Sequence, residues 1–164
     1  PPIGSDRPPN WGGGHEFKLR AGTENSFGIT SLGSALDIDI EKEKVQEIRD
    51  YMITELQKID GVRINGSLHH RLHHNIHVSF KGIDSSALVA MLSEAGVYVS
   101  TGSACSTKKL EESHVLRALG VPEDYIHGSI RITLSHENTL AQAQYALESI
   151  KKNVRRLREM SPFN

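Results

Sequence analysis

Val97-Tyr98-Val99-Ser100-Thr101-Gly102-Ser103-Ala104-Cys105-Ser106-Thr107 is the stretch around which the chain is organised. A short run rich in β-branched and aromatic residues, suited to a pleated strand, stops abruptly in small polar residues. Gly102 lets the backbone turn, and its small neighbours leave the thiol of Cys105 without bulky cover. Cys105 is the one cysteine of the sequence. A lone cysteine most often behaves as a small hydrophobe. Buried structural cysteines sit among apolar neighbours, however, and alanine and serine flank this one. The loop therefore points to an exposed, reactive thiol. Reaction requires the thiolate, and a free thiol with a pKa of about 8.5 supplies little of it at neutral pH. Lys108 and Lys109 are close enough in sequence to depress that pKa, or simply to solvate the loop.

Outward from this stretch, helical and strand periodicities alternate. On the N-terminal side, Asp84 is placed to cap a helix whose Leu88, Met91, Leu92 and Ala95 form a stripe closed by Gly96. Val97 to Ser100 then reads as the strand that delivers the cysteine loop. Further back, Val62 to Asn65 predicts a short strand, and Leu72, Ile76, Val78 and Phe80 line one face of a longer one. Val45, Ile48, Met52, Leu56 and Ile59 predict a helix from Ile40 to Ile59, and Ile29, Leu32 and Leu36 another from Ser26 to Ile38.

On the C-terminal side, Val115, Leu116 and Leu119 mark a short helix ended by Gly120. Ser129 to Ser135 alternates: Ile130, Ile132 and Leu134 point one way, Ser129, Arg131 and Thr133 the other. A long helix from Thr139 to about Met160 closes the chain, with Lys151, Lys152, Arg155, Arg156 and Arg158 gathered where they complement its dipole. The sum is an α+β fold, a small and mainly antiparallel sheet with helices packed on one face.

A length of 164 residues suits one domain with a core of its own. Residues 1–14 hold Pro1, Pro2, Gly4, Pro8, Pro9, Gly12, Gly13 and Gly14, which predicts a flexible lead-in before a domain over 15–164. Nineteen Lys and Arg against 20 Asp and Glu leave a net charge of -1, so nothing electrostatic favours nucleic acid. One cysteine forms no internal disulfide, and no apolar run approaches the roughly 20 residues of a membrane span. The expectation is a cytoplasmic protein without a membrane partner.

Three further groups bear chemistry. Gly12-Gly13-Gly14 with Arg20 and Thr23 could supply backbone N–H groups, a guanidinium and a hydroxyl to a phosphate, or form no more than a hinge before a helix. Arg131 is either a solvated arginine, an ion-pair partner, or a fork able to hold a carboxylate by two hydrogen bonds. His69, His70, His73, His74 and His77 invite a metal, but no acidic residue or cysteine completes a set at conventional spacing. The expectation is no metal site, only a polar sheet edge.

Three blocks, in order, resemble the cysteine desulfurases of the NifS/IscS type, which belong to the class V aminotransferases. Gly-Gly-Gly-His-Glu at 12–16 with Leu-Arg-Ala-Gly-Thr-Glu-Asn at 19–25 is similar to the family's GGGQExGxRSGTxN, with Phe17 and Lys18 departing from its usual Arg-Gly. The cysteine loop at 100–107 is the second block. Val115 to Gly120 followed by Ser129-Ile130-Arg131 is the third, and Arg156 to Pro162 looks like the family's C-terminus.

The resemblance implies the small C-terminal domain of a fold-type I pyridoxal-phosphate enzyme with an interface segment attached. By it, Cys105 matches the persulfide-forming cysteine and Arg131 the arginine that binds the carboxylate of substrate L-cysteine. Thr23 matches the threonine that contacts the cofactor phosphate across a homodimer interface, with Arg20 beside it. The implied reaction converts L-cysteine to L-alanine, leaving a persulfide on Cys105. A mobile loop then hands that sulfur to an acceptor or iron–sulfur scaffold protein. The family's Ser-x-His-Lys motif, which carries the cofactor lysine, has no counterpart here. The chain by itself is accordingly expected to be inactive and to bind no pyridoxal phosphate covalently. The competing expectations are a non-catalytic interaction or dimerisation module derived from a desulfurase, and a histidine-rich metal-binding domain.

Overall fold

The computed structural model describes residues 11–101 and 113–160. Residues 1–10, which are most of the expected lead-in 1–14, residues 102–112, on which the expectation of an exposed Cys105 thiol near Lys108 and Lys109 falls, and residues 161–164 lie outside them. The chain divides into two units, one up to Asp39 and one from Ile40 onward.

In the first unit a 3₁₀ turn at Glu16–Lys18 precedes helix α1 (Ser26–Leu36). Asn25 starts the helix, its side chain accepting the Gly28 N–H at 3.0 Å. The predicted helix is present, but its apolar stripe is not buried. Phe27 is 85% exposed and Leu36 78%, with Ile29 and Leu32 exposed between them. Besides the three-residue 3₁₀ turn, the first unit offers no helix or strand, among the described residues, on which α1 could lay that stripe.

The second unit holds α2 (Lys42–Leu56), β1 (Val62–Ile64), β2 (Asn75–Phe80), α3 (Ser85–Glu94), β3 (Ser100–Thr101), α4 (His114–Ala118), α5 (Glu123–Ile126), β4 (Ser129–Thr133) and α6 (Leu140–Met160). The strands form one sheet in the order β1-β2-β4-β3, each neighbouring pair antiparallel. Register is fixed by the apolar residues: Ile76 faces Ile132 and Val78 faces Ile130, so one side of the sheet is continuous hydrocarbon. Against it lie Ile48, Met52 and Leu56 of α2, Leu88 and Leu92 of α3, and Ala143, Leu147 and Ile150 of α6. Burying each of the larger side chains is worth about 1.5–3 kcal/mol.

Local hydrogen bonding at two helix ends sets the direction in which the chain leaves them. At the end of α3, Gly96 takes φ +75°, its N–H bonds Ser93 O and the Val97 N–H bonds Leu92 O at 2.8 Å. This is the paired bonding of a Schellman cap. The same arrangement recurs after α4, where Gly120 takes φ +62° and the Val121 N–H bonds Leu116 O at 3.1 Å, with Leu116 and Val121 buried together. The first cap corrects one expectation: Val97 to Val99 are not paired strand, because the cap holds Val97 against the helix, and pairing begins only at Ser100. Leu72, predicted to share the core face of the second strand, is exposed and precedes that strand.

Candidate active site

The side of the sheet away from the core carries the polar residues of the same alternation. Arg131 lies in the middle of β4, directly opposite His77 of β2 on one flank and Ser100 of β3 on the other. Ile130 and Ile132 are buried on the other face, so Arg131 is exposed because of where it sits in the pleat. Among the described residues its guanidinium makes no hydrogen bond or ion pair. Ser100 and Thr101, the last described residues before the cysteine-bearing segment, pair with Arg131 and Ile130. The root of that segment is therefore hydrogen-bonded strand alongside Arg131.

Next to Arg131 the polar face closes over a buried chain of hydrogen bonds. Asn65 Nδ2 donates to Ser79 Oγ at 2.7 Å, Ser79 Oγ lies 2.6 Å from Ser129 Oγ, and the Ser129 hydroxyl donates to Tyr125 O at 3.2 Å. Asn65, Ser79 and Ser129 are all buried. Asn65 Nδ2 also reaches His77 Nδ1 at 3.4 Å, while the Asn65 carboxamide oxygen is buried without a partner among the described residues. Arg71 ties the adjoining connection, donating to Ser67 O and Asn65 O at 2.8 and 2.9 Å. Arg49, buried in α2, donates to Leu72 O at 3.0 Å and pairs with Asp50. Sequence periodicity puts Ser129 on the polar face with Arg131 but does not bring it together with Asn65 or Ser79. The signal lies in Ser79 and Ser129 standing at partnered register positions, which requires the strand pairing.

His77 is held below the usual imidazole pKa, first by burial and then by the charges of Arg131 and Arg71. A histidine that stays neutral when folded binds fewer protons than the unfolded chain below about pH 6.5. Folding stability should then decline as pH falls through that value and keep declining to the folded pKa. Thermal melts between pH 7.5 and 5 are expected to show this decline, and to show less of it in His77→Gln; identical slopes would remove His77 as its source.

His73 and His74 touch edge to face, with ring centres 4.7 Å apart. Among the described residues no three metal-ligating side chains converge. A groove of about 520 Å³ beside Val97–Val99 is lined by Ile132, Leu134, Ala143 and Tyr145, with Asn138 and Gln142 among its polar residues and no charged side chain among the described residues.

Arg20 and Thr23 belong to the first unit. Thr23 is exposed, with no hydrogen-bond partner for its hydroxyl among the described residues, and Arg20 Nη1 leans on Gly22 O at 3.4 Å. A free hydroxyl and a guanidinium beside Gly22 at φ +96° are the donor types a phosphate takes. Just before them, Glu16, Phe17 and Lys18 all adopt positive φ. Lys18 at +66° stands where the similar family motif has glycine, and carries about 1–2 kcal/mol of left-handed strain.

The chain is similar to known proteins in sequence and in fold. The curated cysteine desulfurase IscS of Methanosarcina thermophila is 43% identical over 157 residues, which is 93% of this chain and 39% of the relative. The IscS of Dictyoglomus turgidum is also 43% identical, over 93% of this chain and 40% of its own length. A solved NifS-like protein superposes with a TM-score of 0.77 at 33% identity, covering 92% of this chain and 39% of that one. A NifS-like protein from Rickettsia africae does so with 0.73 at 28%, over 91% and 40%. The chain thus spans about 40% of the length of these relatives. With the aminotransferase class-V family profile matching residues 12–146, the chain belongs to that family, on its NifS/IscS-like cysteine desulfurase branch, a group of pyridoxal-phosphate enzymes.

Proposed function

We propose that this chain forms the sulfur-accepting part of a cysteine desulfurase, completed by further polypeptide of the kind its relatives carry. One observation carries the reading: the strand that leads into the Cys105 segment is paired with Arg131, an exposed arginine with no partner of its own among the described residues. Cys105 follows Ser100 by five residues, at most about 18 Å of chain, so thiol and guanidinium can serve one small substrate.

Arg131 holds the carboxylate of L-cysteine by two parallel N–H···O bonds and so orients the substrate sulfur toward the loop. The Cys105 thiolate attacks that sulfur. An S–S bond forms, the substrate C–S bond breaks, and its electron pair stays with carbon, which takes a proton to give alanine. Bound pyridoxal phosphate supplies the electron sink for this carbanion chemistry. Thr23, with Arg20 beside it, would hold a cofactor phosphate across the homodimer interface. Since no lysine here sits in a Ser-x-His-Lys motif, the covalent anchor of the cofactor comes from outside residues 1–164, and the chain alone is inactive. The persulfide then passes to an acceptor or scaffold protein for iron–sulfur cluster or thio-cofactor assembly, in a cytoplasmic homodimer.

Arg131→Lys in the complete enzyme tests the site. Lysine keeps the charge but loses the fork, so the cysteine specificity constant should fall by the equivalent of about 2–3 kcal/mol. Folding should barely change, because the position is outside the core. Unaltered turnover and unaltered affinity for cysteine would remove Arg131 from the site.

A further inference from the structure

We propose that His77 is a second ligand of the carboxylate held by Arg131, donating from its Nε2–H, with the buried Asn65–Ser79–Ser129 chain fixing that proton in place. The inference rests on the reading of Arg131 given above and extends the site by one residue. It comes from counting donors along the hydrogen-bonded chain. Tyr125 O can only accept, so the Ser129 hydroxyl donates to it. The Ser79 hydroxyl must then donate to Ser129 Oγ, which leaves Ser79 Oγ to accept from Asn65 Nδ2. This orients the Asn65 amide, and its second N–H points at His77 Nδ1, 3.4 Å away. A ring nitrogen that accepts carries no proton, so the hydrogen of the neutral imidazole is on Nε2.

The sheet places the His77 and Arg131 side chains next to each other. His77 and Arg131 are directly opposed on neighbouring antiparallel strands, which brings their Cβ atoms within about 4.5–5.5 Å. A carboxylate has two oxygens and roughly four lone-pair sites, more than one guanidinium edge occupies. The groups facing His77 are Arg131 from β4, Arg71 from the β1–β2 connection and Asn65 beyond the end of β1. None accepts a proton, and two are cations, so the ring remains an uncharged donor rather than a competing cation.

Two measurements decide it. On this chain, long-range ¹H–¹⁵N correlation spectra at pH 7.5 should show His77 as the neutral Nε2–H tautomer. A protonated Nδ1 would overturn the proposal. In the complete enzyme, His77→Phe should raise KM for cysteine roughly 10- to 100-fold with a smaller change in kcat. His77→Gln, whose amide nitrogen reaches the Nε2 position, should recover most of that loss. His77→Asn, which can only restore the contact with Asn65, should not. Asparagine rescuing as well as glutamine would reduce His77 to a structural partner and sink the proposal, even if His77→Phe fails to fold. If Arg131→Lys leaves KM unchanged, the carboxylate site itself is misplaced and the His77 role goes with it. If Arg131→Lys raises KM while neither His77→Gln nor His77→Phe differs from wild type, the site stands and only His77 is excluded.

Discussion

Cys105→Ser in the complete enzyme is expected to end alanine formation from cysteine, with turnover reduced by about a thousandfold or more, as for removal of other enzymatic nucleophiles. A hydroxyl at neutral pH is almost wholly protonated and does not form a stable bond to divalent sulfur. The substrate sulfur then has no acceptor, and the C–S bond does not break. Binding of cysteine should persist, since Arg131 is untouched, so KM or a direct binding constant should move far less than kcat. Intact mass after single turnover separates the readings: wild type should gain one sulfur atom on Cys105, the one thiol in the sequence, and Cys105→Ser none. A variant that still made alanine at a comparable rate would mean that Cys105 is not the acceptor.

Much of the scaffold of this site can be read from local chemistry. Asp84 accepts the Ala87 N–H at 2.8 Å, and Gly96 and Gly120 take the positive φ expected of them at helix ends, because caps and left-handed turns are decided by one or two neighbouring residues. Strand alternation likewise placed Ile130 and Ile132 in the core and Arg131 opposite them. Relations between distant segments were not legible. The Ser79–Ser129 contact joins residues 50 apart, and a polar residue on a strand reads as solvated until its partner strand is known. His77 illustrates the same limit: within its histidine-rich run it suggests a metal ligand, whereas pairing of β2 with β4 makes it the neighbour of Arg131. For α1, periodicity reported the helix correctly, but amphipathic spacing says only that a stripe exists, not what covers it. Val97 to Val99 fail for another reason. Their β-branched composition favours strand, but the cap at the end of α3 holds Val97, and local hydrogen bonding outweighs propensity.

Gly128→Ala is expected to unfold the second unit or lower its melting midpoint by more than about 10 °C, which corresponds to a loss above about 3 kcal/mol for a chain of this size. A Cβ at this position would overlap the carbonyl oxygen of Phe80, and would also come within 3.0 Å of its carbonyl carbon and 3.2 Å of Ile83 Cγ1. Backbone cannot yield as a flexible side chain does. The Phe80 N–H bonds Gly128 O at 3.0 Å, and the Ser85 N–H bonds His127 O at 2.9 Å, so both sides of the contact are tied down. Making room for a methyl group means drawing β2 from β4 at the end where fully buried Phe80 anchors the core and where Ser79 meets Ser129. The damage would thus reach the buried chain that orients His77 as well as the fold. Gly82→Ala is the control: a Cβ there meets nothing within 4 Å, and only its φ of +73° opposes the change, at about 1–2 kcal/mol. Gly33→Ala, in open space on α1, should be neutral or slightly stabilising. Thermal melts of the three variants should rank Gly128 far below Gly82 and Gly82 below Gly33. A Gly128→Ala protein melting within a few degrees of wild type would show that β2 and β4 can part at this point without loss, contrary to the tight approach of Gly128 and Phe80.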